Sequence, residues 1–376
     1  MKDVIENTYR TLCSNIPIKQ KESDSKDFRS VLRSVLNDYK NNIVQLQKGN
    51  IISSEDLKEV DYICGKINDI VKSVYKGLHS TAFSQLSNLL QGAIKHTPLI
   101  KSILVYDLNA NRSLFRMRKM DNRVDLALKD MFHMPLNKRG DVATHRYSFP
   151  GYPCLYLGNS IYSCWEELGR PSMSQSMVSR VENVEVLRLL DLRIPELNSF
   201  REHTIDYVKV FPLIIACSVR VKQPKALFKP EYVIPQLLME YVISQNMKEK
   251  KEKKEKKDIP IIGIYYTSVF INNDFGFDMD KFGNIVVPVM SPLSGKQYCK
   301  VLSEKFKITM PTCDEWEQAR TAGYRILDMN IVNSTLVIKQ HNNAGYDYSS
   351  FGRLEARLKE ETIFPLKTIG DDDYKN

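Results

Sequence analysis

The chain has 376 residues, 43% of them apolar and 26% charged; that suffices for two domains with buried cores and excludes wholesale disorder. Its net charge of +9 suits nucleic acid, an anionic membrane surface or an anionic small ligand equally well, and no stretch approaches the ~20 apolar residues of a membrane span. The seven cysteines (Cys13, Cys64, Cys154, Cys164, Cys217, Cys299 and Cys313) are scattered, odd in number and without a CxxC pair. This pattern argues against a disulfide framework and a thiolate zinc site, so reduced and mostly buried thiols are expected.

The first ~95 residues read as helices. In DFRSVLRSVLNDYKNNIVQL, Phe28, Val31, Leu32, Val35, Leu36, Tyr39 and Ile43 recur at three- and four-residue spacings, the stripe of an amphipathic helix. In SSEDLKEVDYICGKINDIVKSVY the stripe is Val60, Ile63, Ile67, Ile70, Val71 and Val74, behind Ser53 or Ser54 as N-cap. STAFSQLSNLLQGAI predicts a shorter helix.

Composition changes near Pro98. Strands are expected at 102–108, 184–192, 211–221, 259–269 and 284–290, and a helix at 234–245. There is neither a strict βαβ rhythm nor a glycine-rich turn. The expected fold class is therefore α+β (mixed α/β), with a helical domain at 1–98 and a mixed-sheet domain at 99–376. The run from Lys248 to Lys257 holds seven lysines and three glutamates. It reads as a solvated insertion over 247–258, and it leaves only +5 for the rest of the chain. The terminal DDDYKN reads as a frayed tail. The N-terminus MKDVIENTYR has no apolar signal core, so the cytoplasm is the expected location.

Several familiar sites are missing. There is no GxGxxG, no P-loop and no HExxH, and the six histidines are isolated from one another, so no metal is expected. Arg139 and His145 have the R-x5-H spacing of certain helical RNases, but they lie in LNKRGDVATHRYSFPG, where glycine and proline make a poor helix.

The passage from Met131 to Pro171 packs polar and aromatic residues around turn formers, as ligand-lining loops do. Within it, RYSFPGYPCLYLGNSIYSCWEE resembles the core of the RES domain family: an arginine, a Pro-Gly turn, a strand ending in Leu-Tyr-Leu, and a helix bearing glutamate. The family's strand tyrosine precedes its glutamate by eleven positions; Tyr156 and Glu167 have that separation, which selects Glu167 over Glu166. LFRMR resembles the family's opening strand and places its arginine at Arg116, with Arg118 as the fallback. IPQLLM, GIYYTSV and GNIVVPV resemble later family segments and place Gln236, Ser268 and Asn284. At the serine, Thr267 stands where proline is more common. The resemblance runs from Phe115 to Met290; the helical N-terminus is similar to the domain that precedes RES in a larger subgroup.

This resemblance implies an ADP-ribosyltransferase-like mixed sheet and an enzyme that breaks the nicotinamide–ribose bond of NAD+. The reaction would be hydrolysis, or phosphorolysis with inorganic phosphate as co-substrate, in a toxin or antiphage effector. It also implies an antitoxin or regulatory protein as partner, with oligomers allowed, and neither membrane nor nucleic acid. Protein ADP-ribosylation is the alternative chemistry, and a non-catalytic module using the basic run to bind nucleic acid or a partner is the alternative class. The residue types suit NAD+ chemistry. Glu167 would stabilise positive charge developing on the ribose. Arg116 and Arg146 would clamp the pyrophosphate. Tyr156 would pack on nicotinamide or ribose. Ser268 would fix the glutamate or the nicotinamide amide, and Gln236 and Asn284 would contact the ligand.

Overall fold

The computed structural model describes residues 2–20, 26–92, 98–100, 104–120, 127–251, 259–270, 279–293, 297–313 and 346–366. The tail after Leu366 and residues 252–258 of the basic run lie outside these.

Helices α1 (Lys2–Ser14), α2 (Phe28–Lys48), α3 (Ser54–Tyr75) and α4 (His79–Gln91) open the chain. Strands β1 (Val105–Leu108), β2 (Ser113–Lys119) and β3 (Cys154–Gly158) precede α5 (Ile161–Glu167), β4 (Ser176–Asn183) and β5 (Leu187–Leu192). Then come α6 (Leu197–Glu202), α7 (Thr204–Cys217), α8 (Val233–Lys251), β6 (Ile261–Thr267) and β7 (Gly283–Pro288). The last elements are α9 (Lys300–Ser303), β8 (Phe306–Thr309), α10 (Ser350–Glu360) and β9 (Ile363–Pro365). The fold is α+β.

The contacts divide the chain into two compact units that interleave in sequence. One comprises Met1–Tyr106, Thr144–Ser148 and Arg188–Asn273; the other comprises Asp107–Ala143, Phe149–Leu187 and Asp274–Asn376. In this grouping the N-terminal helices share a unit with α6, α7, α8 and β6.

In the first unit the helical stripes face inward as their periodicity dictates: Phe28, Leu32, Leu36, Tyr39 and Ile43 of α2 are buried, as are all six stripe residues of α3. Ser53 is the N-cap of α3, closing a reciprocal capping box with Asp56. Strands β5 and β6 run parallel, joined through α6, α7 and α8.

Of the strand expected at 211–221, residues 211–217 are instead the second half of α7. A fully buried apolar run carries no periodicity to separate strand from helix, and a proline such as Pro212 is unfavourable inside a helix. The structure accommodates that proline. Pro212 cannot donate to the carbonyl four residues back, which belongs to Val208; that carbonyl accepts instead from the hydroxyl of Tyr39 at 2.5 Å. Tyr39 also stacks on Phe211, 5.9 Å between centroids. On the same helix, Lys209 pairs with Asp56 and Glu59 of α3, each at 2.8 Å.

The second unit is built on strands in the order β7-β3-β2-β4-β8-β9, with every neighbouring pair antiparallel. β2 pairs with β4 along its whole length but with β3 only at Phe115 opposite Gly158. α5 follows β3 directly, and α10 packs its Phe351 against Tyr162 and Trp165 of α5.

Candidate active site around Glu167

A short strand–turn–helix positions Glu167. β3 ends at Gly158, Ser160 caps α5 by accepting from the Ser163 amide at 3.0 Å, and Glu167 is the last residue of the helix. Ser163 and Glu167 are four apart and share one helical face. Both meet the side chain of Asn284 on β7. The Ser163 hydroxyl donates to Asn284 Oδ1 at 2.8 Å, and Asn284 Nδ2 donates to Glu167 Oε1 at 2.8 Å. Asn284 lies directly opposite Gly158 in the β3–β7 ladder. A Cβ on Gly158 would come within 2.7 Å of Cys164 Sγ and 3.3 Å of Asn284 Oδ1, so the missing side chain is what lets helix and strand close over this carboxylate.

Arg116 enters from β2. Where β2 and β3 cease to pair, its guanidinium donates to the Tyr156 carbonyl at 2.8 Å. Among the described residues no carboxylate pairs with it, and its buried Nε has no hydrogen-bond partner. Burial, and secondarily the charge of Arg118, lowers its pKa to about 10. Ser179, opposite Arg116 on β4, is fully buried, and its hydroxyl also lacks a partner among the described residues. A desolvated cation beside a like charge, with donors to spare, is a place where a bound anion is favourable. Arg118 donates to the backbone carbonyl of Asp130.

The thiol of Cys164 lies within electrostatic reach of Arg116, Glu167 and Glu355. Burial pushes it up to about 12, against the pull of the Gly158 backbone and Arg116, so it is not a thiolate nucleophile at neutral pH. None of the seven cysteines forms a disulfide, and all but Cys13 are buried. Glu166 points elsewhere and forms a two-pronged pair with Arg170 at 2.9 Å.

Arg116, Tyr156, Glu167 and Asn284 therefore belong to one unit, while Arg146, Gln236 and Ser268 belong to the other. Arg146 is buried and committed to backbone: it donates to the carbonyls of Cys217 and Val219 at 2.9 Å each, neutralising the C-terminal end of α7. Gln236 braces the same loop, donating to Thr144 Oγ1, the His145 carbonyl and the Ser148 carbonyl at 2.9–3.1 Å. Ser268 follows β6, and its buried hydroxyl accepts from the Phe270 amide at 3.3 Å. Both nitrogens of His133 are engaged, with the Met134 carbonyl at 2.8 Å and the Cys299 amide at 2.9 Å. Burial lowers its pKa to about 4 and keeps the ring neutral. Arg139 lies in a short 3-10 segment over Leu136–Asp141, not on a long helix.

Sequence reasoning missed Ser163, Gly158 and Ser179. A serine before an apolar helical run is a legible N-cap signal for Ser160; nothing local marks Ser163 or Ser179 as parts of a site.

The chain is 29% identical over 366 residues to a Bacillus subtilis (strain 168) protein named "Putative toxin YopC", covering 92% of this chain and 78% of that protein. No family model matches the chain, and no solved structure matches it. Among the described residues no helix is long and apolar enough to cross a membrane.

Proposed function

We propose that this chain is an NAD+-cleaving toxin of the RES type, with Glu167 as its central catalytic group. The observation that carries the reading is the pairing of opposites in one unit: a carboxylate held by Asn284 at the end of α5, and the buried Arg116 cation that no carboxylate among the described residues neutralises. NAD+ has complementary chemistry, a pyrophosphate for the arginine and a ribose that becomes cationic for the glutamate. The toxin name of the Bacillus relative supports the biological side of the reading.

In the proposed reaction the C1′–N bond breaks and its electron pair goes to the pyridinium nitrogen, releasing neutral nicotinamide. The ribose carries the resulting oxocarbenium charge. Glu167, oriented before the substrate arrives, stabilises that charge without reorganising. Water or phosphate then forms the new bond at C1′ and releases its proton. A toxin of this kind requires an antitoxin or regulatory protein in its own cell.

Expression in a bacterial host tests the reading. The wild-type chain should deplete cellular NAD+ and arrest growth, and Glu167→Gln should do neither. Equal arrest by both proteins would exclude NAD+ consumption as the cause.

A further inference from the structure

The C-terminal helix α10 supplies a second carboxylate to the strand–turn–helix that carries Glu167. Glu355 Oε1 accepts from the backbone amide of Ile161, the first residue of α5, at 2.6 Å, and from the hydroxyl of Tyr346 at 2.5 Å. Glu167 is the last residue of the same seven-residue helix. A helix this short has no stability of its own and takes its position from its surroundings. Two kinds of contact from α10 supply that position: Phe351 packs on the Tyr162 and Trp165 rings, and Glu355 fixes the first N–H.

The contacts continue as a chain to the site. Ser160, which caps α5, donates to the carbonyl of Lys281 at 2.7 Å and accepts from the Ser163 amide. Ser163 then donates to Asn284, and Asn284 to Glu167. Lys281, just before β7, reaches back towards α10: its ammonium lies 4.5 Å from the centre of the Tyr346 ring and 3.6 Å from Asp347.

We propose that Glu355 is a positioning residue that sets the placement of α5 and, through it, of Glu167. The catalytic half of the statement rests on the NAD+ reading above; the structural half does not. Among the described residues, Tyr346, Lys281, Lys359 and the Cys164 thiol are the ionisable groups that face Glu355. Burial raises its pKa to about 7, partly offset by its bonds from Tyr346 and Ile161 and by the two lysines. The ionised form accepts both hydrogen bonds strongly, whereas the protonated form carries no charge to strengthen them. The grip on α5 therefore tightens as pH rises through neutrality. Gln keeps an accepting oxygen of the same shape but cannot titrate.

The chain contains two tryptophans, Trp165 on α5 and Trp316. In the full-length Trp316→Phe protein, Trp165 reports on α5 alone. Its emission should titrate with a midpoint near 7, and adding Glu355→Gln should abolish that transition. In the enzyme assay, Glu355→Gln should remove the corresponding limb from the pH profile of kcat while leaving a folded, active protein. Glu355→Ala should lower kcat about tenfold with KM within about twofold. Superimposable wild-type and Glu355→Gln profiles with an unchanged Trp165 titration would overturn the proposal. If the wild-type chain does not cleave NAD+, the enzymatic reading fails by itself. The Trp165 titration then still decides whether Glu355 controls α5, for it if the transition disappears in Glu355→Gln and against it if the transition persists.

Discussion

Asn284 Nδ2 donates to Glu167 Oε1 across 2.8 Å while Asn284 Oδ1 accepts from Ser163, so one amide on β7 holds both ends of a helical turn on α5. The amide is buried, and its two polar atoms match a hydroxyl donor and a carboxylate acceptor. Asn284→Ala leaves Ser163 and Glu167 without that partner and should lower kcat by about 10- to 100-fold. Asn284→Asp should be worse at neutral pH, because a second carboxylate repels the first and raises the pKa of the pair. Steady-state kinetics from pH 5 to 9 or so will show this as a rightward-shifted profile in Asn284→Asp.

Arg116 and Arg146 read alike in sequence and differ in structure. Arg146 ties two carbonyls at the end of α7, so Arg146→Met should cost about 2–4 kcal/mol of stability in urea denaturation. Arg116 is desolvated, touches one carbonyl and adjoins Arg118. Arg116→Met should leave stability unchanged or raise it, while NAD+ affinity falls by about tenfold or more. Calorimetric titration of NAD+ into the inactive Glu167→Gln protein, with and without Arg116→Met, measures the second effect.

Tyr39 and Pro212 should be energetically coupled. Tyr39→Phe strands the buried Val208 carbonyl and should cost about 1–3 kcal/mol. With Pro212→Ala a backbone N–H becomes available to that carbonyl, so the same Tyr39→Phe change should cost measurably less. A double-mutant cycle in urea reads the difference; additive effects would contradict the substitution of a hydroxyl for the missing helix bond.

Two buried groups give the stability curve opposite slopes. His133 has a folded pKa of about 4 against an ordinary 6.5, so the folded state binds fewer protons in that window. Its contribution is fully present above 6.5 and lost as pH falls towards 4. Glu355 has a folded pKa of about 7 against 4.5, so its contribution is present below 4.5 and lost as pH rises through 7. Denaturation midpoints across this range should lose their acid limb in His133→Gln and their neutral limb in Glu355→Gln.

Much of the fold was legible because its signals are local. The stripes of α2 and α3 and a serine cap at 53 or 54 follow from spacing alone, and β1, β5, β6 and β7 were marked by their apolar runs, whereas β2 and β3 were expected only from the RES resemblance. α7 was not legible, since the compensation for Pro212 comes from Tyr39, 169 residues away from the carbonyl it serves. The site divides in the same way. Tyr156 and Glu167 lie on adjacent elements whose separation can be read, whereas the hydrogen bonds of Gln236 to the 144–148 loop span about ninety residues and leave no local mark. The bond from Glu355 to Ile161 spans 194 residues, beyond the reach of any local pattern.

The most direct test of the central claim is product analysis of the purified chain incubated with NAD+, in buffers with and without inorganic phosphate, beside Glu167→Gln. The account predicts nicotinamide release by the wild type that falls by about a thousandfold or more in the variant. The companion product is ADP-ribose for hydrolysis or its phosphorylated form for phosphorolysis. Nicotinamide release unchanged by Glu167→Gln, or none from the wild type in either buffer, would contradict it.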